Sequence, residues 1–525
     1  MNLSKYHLRC QCHLLAVVFL VFGCVLNGWA ASLLSNAGFE FDPAGQNQNL
    51  PGWQPYGANS YNETDATIAH SGTNYFKVYQ QFTGALNFSG VFQDYISGPG
   101  ATYSASGWAR TSSNDAIVGQ NVAWIEVTFR DAAANILALY RTSIITSNGF
   151  PKNTWVNLSV TNQYNPNSYL ITNTATTLVA PAGTYFLRYQ IVFQGDAINS
   201  DGSVYFDDLN LSVASGSAYG NWNITWSDEF NGTNINAKIW TYDTGAGGWG
   251  NSEQEYYTTN NAFVTNGLLH IVARKEAYNG ASYTSARMKS QGLFACQYGR
   301  IEWRAQLPEG VGFWPALWLL GTNIAGIGWP GCGEIDVMEN NGTNVFMAQA
   351  SIHSGSDATA VFTFTDGNVT TNFHTYTVDW ATNAILFYVD GHLYETQTSW
   401  GSSTANAYPF PFNQPFFLLM NLAVGGSYLG YPTPTAINSG TSFPGEMLVD
   451  YVRVYNQTAP FNISLTRTNN NVMISWPSNV VAHLQGQINP LTAGLISNWS
   501  DLALTSNPIQ IAPTNGSAFY RLQSP

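Results

Sequence analysis

The chain has 525 residues, of which only 9% are charged, and its 31 acidic and 18 basic side chains give a formal net charge of −13. This acidic balance argues against nucleic acid and polyanionic polymers as partners. Aromatic residues reach 14% and glycine occupies 48 positions. This composition disfavours long helices, so we expect an all-β extracellular protein. The length indicates about three domains.

The first 30 residues predict a cleaved signal peptide. Two basic residues and no acid precede an apolar run at 14–26, and Gly28 and Ala30 supply the small residues of a cleavage site after Ala30. The run is too short for a permanent membrane span. We therefore expect a secreted protein with no membrane contact after cleavage, and lipoprotein processing at Cys24 is the alternative.

Residues 31–217 predict a β-sandwich module. Period-two alternation indicates half-buried strands at 122–129 and 185–191, and a further strand at 204–211 closes the module. With its opening segment 34–40, the module resembles the jelly-roll carbohydrate-binding modules of bacterial glycanases. The resemblance implies a polysaccharide-binding role and does not specify the ligand.

Flat aromatic side chains stack on sugar rings, and the candidates in this module are Trp53, Tyr56, Trp108 and Trp155. A place in the core or in a turn is the alternative for each of them, and the one that large aromatic residues more commonly have. The alternatives for Asp207 and Asp208 are a structural Ca²⁺ site and a plain strand end. The small, polar stretch 212–220 predicts a short linker.

We assign residues 218–457 to a central domain and residues 458–525 to a small C-terminal β module. The C-terminal module has little core of its own, so we expect it to dock on the rest of the chain. In the central domain no stretch has a long helical period. Strands are predicted at 267–273, 300–307, 373–380, 384–389, 416–422 and 447–455.

Three carboxylates lie within six positions, at Glu334, Asp336 and Glu339. In a regular strand Glu334 and Asp336 share a face and Glu339 takes the other, unless a β-bulge at Val337 or Met338 brings it back. Grouped carboxylates raise one another's pKa, which suits a reaction that needs both an acid and a nucleophile. The pattern predicts glycoside hydrolysis with retention, and a solvated acidic strand edge is the alternative.

Further motifs surround these acids, at 226–230, 248–251, 255–257, 283–287, 298–302, 312–318, 421–426 and 449–455. With them, the region from Trp222 to Tyr455 resembles glycoside hydrolase family 16, specifically its laminarinase-like β-1,3-glucanases. The resemblance implies a concanavalin-like β-jelly-roll sandwich. It also implies Glu334 as nucleophile, Asp336 as its assistant and Glu339 as acid/base.

The same resemblance implies a set of substrate-binding residues, namely Asn251, Glu255, Arg287, Trp314, Trp318 and His353. The alternative for the polar members is ordinary surface polarity, and for His353 a satisfied core histidine. Trp314 and Trp318 are four residues apart, and we expect them to share a face only in a helix or a bulged loop.

A structural Ca²⁺ is the metal that the resemblance implies, held by Glu229, Asp450 and the carbonyl group of Gly267. The alternative is that these acids cap turns. No catalytic cofactor is expected. Cys296 and Cys332 are the cysteines that follow the predicted leader, and both a disulfide and two free thiols are compatible with the sequence.

Together these observations predict a secreted, retaining endo-β-1,3-glucanase that hydrolyses laminarin-like polysaccharides as a monomer. One alternative is a family 16 enzyme acting on mixed-linkage β-glucan or on a marine galactan of the agar or carrageenan type. The acidic charge disfavours sulfated galactans. The other alternative is a non-catalytic glucan-binding protein.

Overall fold

The computed structural model describes residues 32–41, 50–57, 59–365 and 367–457, together with six strand segments beyond residue 463. The predicted leader lies outside the described residues. The expected all-β class is confirmed. Helices within the described part are short: a 3₁₀ turn at Thr259–Asn261, α1 at Ile324–Ile327 and α2 at Pro434–Gly440. Among these residues no helix has the length and apolarity of a membrane span.

The N-terminal part is a sandwich of two antiparallel sheets. Its strands are β1 Gln54–Tyr56, β2 Ser60–Thr64, β3 Asn74–Tyr79, β4 Asn87–Ile96, β5 Thr102–Arg110, β6 Val122–Arg130, β7 Ile136–Arg141, β8 Ile145–Thr146, β9 Val156–Ser159, β10 Asn162–Tyr164, β11 Ile171–Thr174, β12 Leu178–Val179, β13 Phe186–Gly195 and β14 Ser203–Ser215. One sheet runs β11-β10-β7-β6-β13-β4 and continues into the central part through the pairing of Tyr95 with His392. The other sheet runs β12-β5-β14-β3-β2. Alternate side chains of both sheets, such as Ile125, Tyr189 and Phe206, fill the space between them.

The central part is a second and larger sandwich. Its strands are β15 Trp222–Asp228, β16 Thr241–Asp243, β17 Glu255–Tyr257, β18 Ala262–Thr265, β19 Leu268–Ala273, β20 Tyr283–Ser285, β21 Arg287–Lys289, β22 Gly299–Gln306, β23 Phe313–Gly321, β24 Glu334–Glu339, β25 Met347–His353, β26 Ala358–Thr363, β27 His374–Ala381, β28 Ala384–Val389, β29 His392–Gln397, β30 Phe416–Val424 and β31 Gly445–Gln457. Each strand predicted from the sequence is found, with ends that differ by a few residues.

The acidic strand β24 lies inside a seven-stranded sheet of order β16-β21-β30-β23-β24-β25-β26. One face of this sheet packs on the sheet β29-β28-β27-β22-β31-β19-β18 around a large apolar core that includes Trp303, Met338 and Phe416. Ile335 belongs to this core and points inward. Its neighbours Glu334 and Asp336 therefore point to the other face of the sheet.

The expectation that Trp314 and Trp318 share a face only in a helix or a bulged loop is wrong. Both lie on the strand β23, which pairs with β30 without a register shift from Phe313 to Gly321. Residues i, i+2 and i+4 of a regular strand share a face. The two tryptophans therefore lie on one face of the sheet without a helix or a bulge in their own strand.

The two sandwiches are joined by a buried ion pair and an apolar cluster. Arg300 is 0% exposed and donates to both carboxylate oxygens of Asp379, over 2.7 and 2.8 Å. It also donates to the carbonyl oxygen of Ser97 in the N-terminal part, and it lies over the rings of Tyr219 and Trp222. Beside this pair, apolar side chains from both parts, including Ile96, Phe186, Leu386 and Tyr388, form one buried cluster.

The predicted linker at 212–220 is shorter than expected, because β14 continues to Ser215. Tyr219 then anchors the chain by donating its hydroxyl group to the Glu302 carboxylate. The proposed domain boundaries themselves stay a prediction. Beyond residue 463 the described strands are β32 Ser464–Thr468, β33 Asn471–Ser475, β34 His483–Asn489, β35 Ser500–Asp501, β36 Ile509–Ile511 and β37 Ser517–Gln523.

Candidate active site

A bulge in β24 brings the outer two acids of the acidic strand to one face. Glu334 is opposite Leu320 of β23, and Glu339 is opposite Ala316, so five residue steps on β24 match four on β23. The register shifts at Val337, and the pairing of β24 with β25 shifts in the same place. The extra residue restores the parity that a regular strand would lose. The predicted bulge is therefore confirmed.

All three acids line one cavity of about 390 Å³. Its walls carry aromatic rings and polar side chains, and its lining comprises Trp249, Gly250, Asn251, Glu253, Arg287, Trp314, Ala316, Trp318, Leu320, Ile324, Trp329, Glu334, Asp336, Glu339 and Asn421. Such a combination of flat rings and hydrogen-bonding groups suits a carbohydrate.

Glu339 is an acid whose surroundings favour its protonated form. The residue is 8% exposed, and its Oε1 accepts a hydrogen bond from Trp314 Nε1 over 3.0 Å. Gln349 and Ser351 lie farther from Oε2, each at 3.4 Å. Burial, and then the charge of Asp336, raise the pKa of Glu339 to about 8, although the Trp314 bond acts in the opposite direction.

Glu334, Asp336 and His353 form a compact group. One oxygen of each acid and one ring nitrogen of His353 all lie within 4.8 Å of one another. His353 is the register partner of Glu334 on β25, and its Nε2 lies 3.2 Å from Asp336 Oδ2, which is ion-pair distance. Its Nδ1 lies 3.1 Å from Asp357 Oδ2.

The charges of this group are strongly interdependent. Burial would lower the pKa of His353, but the contact with Asp336 and its charge raise it to about 10. Burial, and then the charge of Asp336, raise the pKa of Glu334 well above its ordinary value. Burial also raises the pKa of Asp336, which bonds to Glu334. A proton on one of the two carboxyl groups therefore favours the charged form of the other.

Arg287 joins two of the aromatic walls. Its guanidinium group lies 4.7 Å from the ring centre of Trp318 and 5.3 Å from that of Trp249. Its Nε is 3.0 Å from Asp243 Oδ2, so two aromatic rings and one carboxylate hold the cation in place. Trp314 stacks on Tyr428 with ring centres 5.0 Å apart. The predicted residues Arg287, Trp314 and Trp318 are thus brought together around the acids.

The structure does not support Glu255 as a cavity residue. Its side chain is buried, and Oε2 accepts the backbone N–H of Val424 over 2.6 Å. The preceding acid Glu253 lines the cavity instead, and its Oε1 accepts from Asn251 Nδ2 over 3.1 Å. Asn251 itself lies in the cavity wall as expected. The family resemblance located the correct segment, but the cavity is lined by Glu253 and not by Glu255.

Three polar or aromatic residues of the cavity lining, Glu253, Asn421 and Trp329, were not predicted from the sequence. Glu253 lies between the motifs at 248–251 and 255–257, and Asn421 begins the motif at 421–426, so a signal was available for both. Trp329 had none. It lies in the loop between α1 and β24, it is 57% exposed, and its ring centre is 5.9 Å from that of His353.

The residues expected to bind Ca²⁺ are already paired with cations. Both carboxylate oxygens of Glu229 accept hydrogen bonds from Arg453, over 2.9 and 2.8 Å. Asp450 Oδ2 accepts from Arg304 Nη1 over 2.6 Å. Gly267 lies in the turn between β18 and β19 with a positive φ of 77°. The carboxylates of Glu229 and Asp450 therefore do not fit a metal site while they are paired with Arg453 and Arg304.

The aromatic candidates of the N-terminal sandwich all make intramolecular contacts. Trp53 is buried and donates to the carbonyl oxygen of Asn36, and Tyr56 donates to that of Ile191. Further contacts are those of Trp155, which donates to Ile68, and of Trp108, which stacks on His70. The backbone N–H of His70 donates to Asp207, and its ring lies 2.5 Å from Asp208. Cys296 and Cys332 are free thiols.

Comparisons with known proteins agree with this geometry. The family description "Glycosyl hydrolases family 16" matches residues 250–452. A "Beta-glucanase" of Rhodothermus marinus is 39% identical over 256 residues, which cover 45% of this chain and 85% of that protein. A "Glucan endo-1,3-beta-glucosidase" of Cryptopygus antarcticus is 34% identical and covers 41% and 84%.

A longer relative, "Glucan endo-1,3-beta-glucosidase A1" of Niallia circulans, is 35% identical over 302 residues. The match covers 52% of this chain and 44% of that protein. This chain therefore spans less than half the length of that relative, and most of two shorter ones.

Proposed function

Because the chain belongs to glycosyl hydrolases family 16, we propose that it is a secreted, retaining endo-β-1,3-glucanase that hydrolyses laminarin-like polysaccharides by double displacement. The observation that carries the proposal is the bulged strand β24, which holds Glu334 and Glu339 on one face of an aromatic-lined cavity. Two of the relatives described above are glucan endo-1,3-beta-glucosidases, which supports the 1,3-linkage.

In the first step, a carboxylate oxygen of Glu334 forms a bond to the anomeric carbon while the bond from that carbon to the glycosidic oxygen breaks. Glu339 gives its proton to the departing oxygen. In the second step, water attacks the anomeric carbon and the bond to Glu334 breaks. Glu339, now a carboxylate, accepts the proton of that water. Two inversions at one carbon give net retention.

The environment of each acid supports these roles. Glu339 has a pKa of about 8 and therefore carries a proton at neutral pH. Burial raises the pKa of both Glu334 and Asp336, and attack requires an ionised Glu334, so a proton on this pair has to sit on Asp336. The His353 cation lies near both acids and stabilises the negative charge that Glu334 then carries. Asp336 is therefore the group that keeps the nucleophile ionised.

The rest of the cavity supports a neutral glucan as substrate. The rings of Trp314 and Trp318 offer apolar faces for sugar rings, while Asn251 and Arg287 offer hydrogen-bond donors. No catalytic cofactor is needed for hydrolysis by this family. A monomeric state and secretion after signal cleavage are part of the proposal. A structural Ca²⁺ near Glu229, Gly267 and Asp450 would require the two acids to leave Arg453 and Arg304.

Products from laminarin, lichenan and agarose, separated by mass and followed by proton NMR during the reaction, test this function. We expect internal cleavage of laminarin with the β-anomer formed first. Early appearance of the α-anomer would overturn retention. Cleavage of agarose, or of lichenan alone, would shift the substrate class to the corresponding alternative.

A further inference from the structure

A buried chain of hydrogen bonds lies behind one wall of the cavity. Trp318 Nε1 donates to Asn421 Oδ1 over 2.8 Å, and Asn421 Nδ2 donates to the hydroxyl oxygen of Tyr257 over 3.2 Å. Tyr257 donates in turn to Glu253 Oε2 over 2.7 Å. Trp318, Asn421 and Glu253 line the cavity, while Tyr257 is buried behind them. Tyr257 thus joins three cavity side chains into one unit.

A second carboxyl group, Glu255, lies behind Glu253 with too few donors. It is 1% exposed, and only its Oε2 accepts a bond, from the N–H of Val424. Its Oε1 is buried and has no hydrogen-bond donor among the described residues. Burial, and then the charge of Glu253, raise the pKa of Glu255 well above its ordinary value. A buried carboxylate with an unpaired oxygen is strongly disfavoured, so Glu255 is a neutral acid.

A neutral carboxylic acid carries an O–H that needs an acceptor, and Glu253 is the side chain to which Glu255 bonds. The other donors to Glu253 are Asn251 and Tyr257. A carboxylate offers about four acceptor positions, so three protein donors leave room for one more from the cavity.

We propose that Glu255 is a positioning residue whose protonated carboxyl group donates to Glu253 and so orients Glu253 as an acceptor for a hydroxyl group of the β-glucan. The inference rests on the proposed function, because it assumes a glucan in the cavity. It gives a role to Glu255, which the family resemblance implied as a substrate-binding residue and which the structure places behind the cavity wall.

The role makes glucan binding sensitive to alkaline pH. The titratable and charged groups near Glu255 are Glu253 and Tyr257 on the same segment, Tyr283 as its register partner on β20, and Arg287 beyond Tyr257. Loss of the Glu255 proton would put two carboxylates in contact and remove a donor from Glu253. Glutamine at position 255 keeps a donor and has no proton to lose.

The experiment uses the full chain with Glu334→Gln, so that binding is measured without turnover. Titration calorimetry with laminarihexaose at pH 6 and pH 9 compares this parent with added E255Q, E255L and Y257F. At pH 6 we expect E255Q to bind within about twofold of the parent and E255L about tenfold more weakly. Between pH 6 and pH 9 the parent should lose more affinity than E255Q. The exposed Glu309→Gln is the matched control and should follow the parent.

Identical pH dependences of the parent and E255Q would overturn the inference, as would equal losses for E255Q and E255L at pH 6. Should E255L not fold, Y257F provides the second measurement, because it removes a donor to Glu253 without removing a titrating carboxyl group. We expect weaker binding by Y257F with the pH dependence of the parent, and binding equal to that of the parent would overturn the inference. A parent that does not bind laminarihexaose would reject the proposed function, and the inference with it.

Discussion

The indole N–H of Trp314 donates a hydrogen bond to Glu339 Oε1 over 3.0 Å. The bond stabilises the charged form of the acid and so lowers the pKa of Glu339, against burial and the charge of Asp336, which raise it to about 8. One side chain therefore combines a flat surface for a sugar ring with control over the proton of the acid/base.

The alkaline limb of kcat/KM is expected near pH 8, because Glu339 must carry a proton in the first step. Trp314→Phe removes the hydrogen bond and should move this limb upward by roughly half a pH unit to one unit. Initial rates on laminarin from pH 5 to pH 10 measure it. Trp329→Phe, which changes a cavity tryptophan that does not bond Glu339, should leave the limb in place. A limb that moves downward in W314F would contradict the assignment.

Glu334→Gln is expected to lower kcat on laminarin by at least about a thousandfold, because the amide cannot attack the anomeric carbon. Binding of laminarihexaose should change by less than about fivefold, since the shape of the cavity is kept. Rates and calorimetric affinities on the same preparation provide both numbers. Retention of more than a tenth of the wild-type rate would exclude Glu334 as the nucleophile.

Glu339→Gln should stabilise the protein at alkaline pH. The pKa of Glu339 is about 8 in the folded protein and about 4.5 in the unfolded chain, so the folded state binds the proton more tightly. Stability from this group is therefore present below pH 4.5 and is lost as the pH rises toward 8. We expect E339Q to unfold like the wild type at pH 4 and to gain about 2 kcal/mol or more at pH 8. Denaturant unfolding at both pH values tests this, and an equal effect at both would contradict it.

Asp379→Asn should destabilise the protein by about 3–5 kcal/mol, because it leaves the fully buried Arg300 without its counter-ion. Lys77→Met breaks the partly exposed pair with Asp115 and should cost less than about 1 kcal/mol. Thermal unfolding of the two variants beside the wild type gives the comparison. Similar losses in both would show that the buried pair has no special weight.

Addition of EDTA is expected to lower the melting temperature without abolishing hydrolysis of laminarin, if Ca²⁺ binds near Glu229, Gly267 and Asp450. The ion would have to compete with Arg453 and Arg304 for the two acids, so the shift should be modest and reversed by added Ca²⁺. A melting temperature that does not respond to either addition would remove the metal from the proposal.

The sequence was informative where the alternation of side chains along one strand decides which face each of them takes. Alternation predicted the strands and, from Glu334 and Glu339, the bulge that the pairing with β23 confirms. The same rule was misapplied to Trp314 and Trp318, which need no irregularity to share a face. Glu253 and Glu255 are two residues apart, so alternation gives them the same face and cannot show that Glu253 lines the cavity while Glu255 is buried behind it.

Contacts between residues far apart in the chain could not be predicted from the sequence. Arg300 meets Asp379 across 79 positions and Ser97 across 203, and nothing local to Arg300 indicates either partner. A stretch of small polar residues at 212–220 indicated a flexible connection. In the structure its first residues extend β14, and Tyr219 is held by Glu302.

The contacts between the two sandwiches have a practical consequence for expression of the central domain alone. A fragment that begins at residue 218 would keep Tyr219 but would lose Ser97, Ile96 and Phe186, and would open the guanidinium group of Arg300 and an apolar patch around Leu386 to water. Such a truncated product would tend to aggregate during expression. Grafting the hydrolase onto another carrier therefore calls for a cut that leaves both sandwiches together.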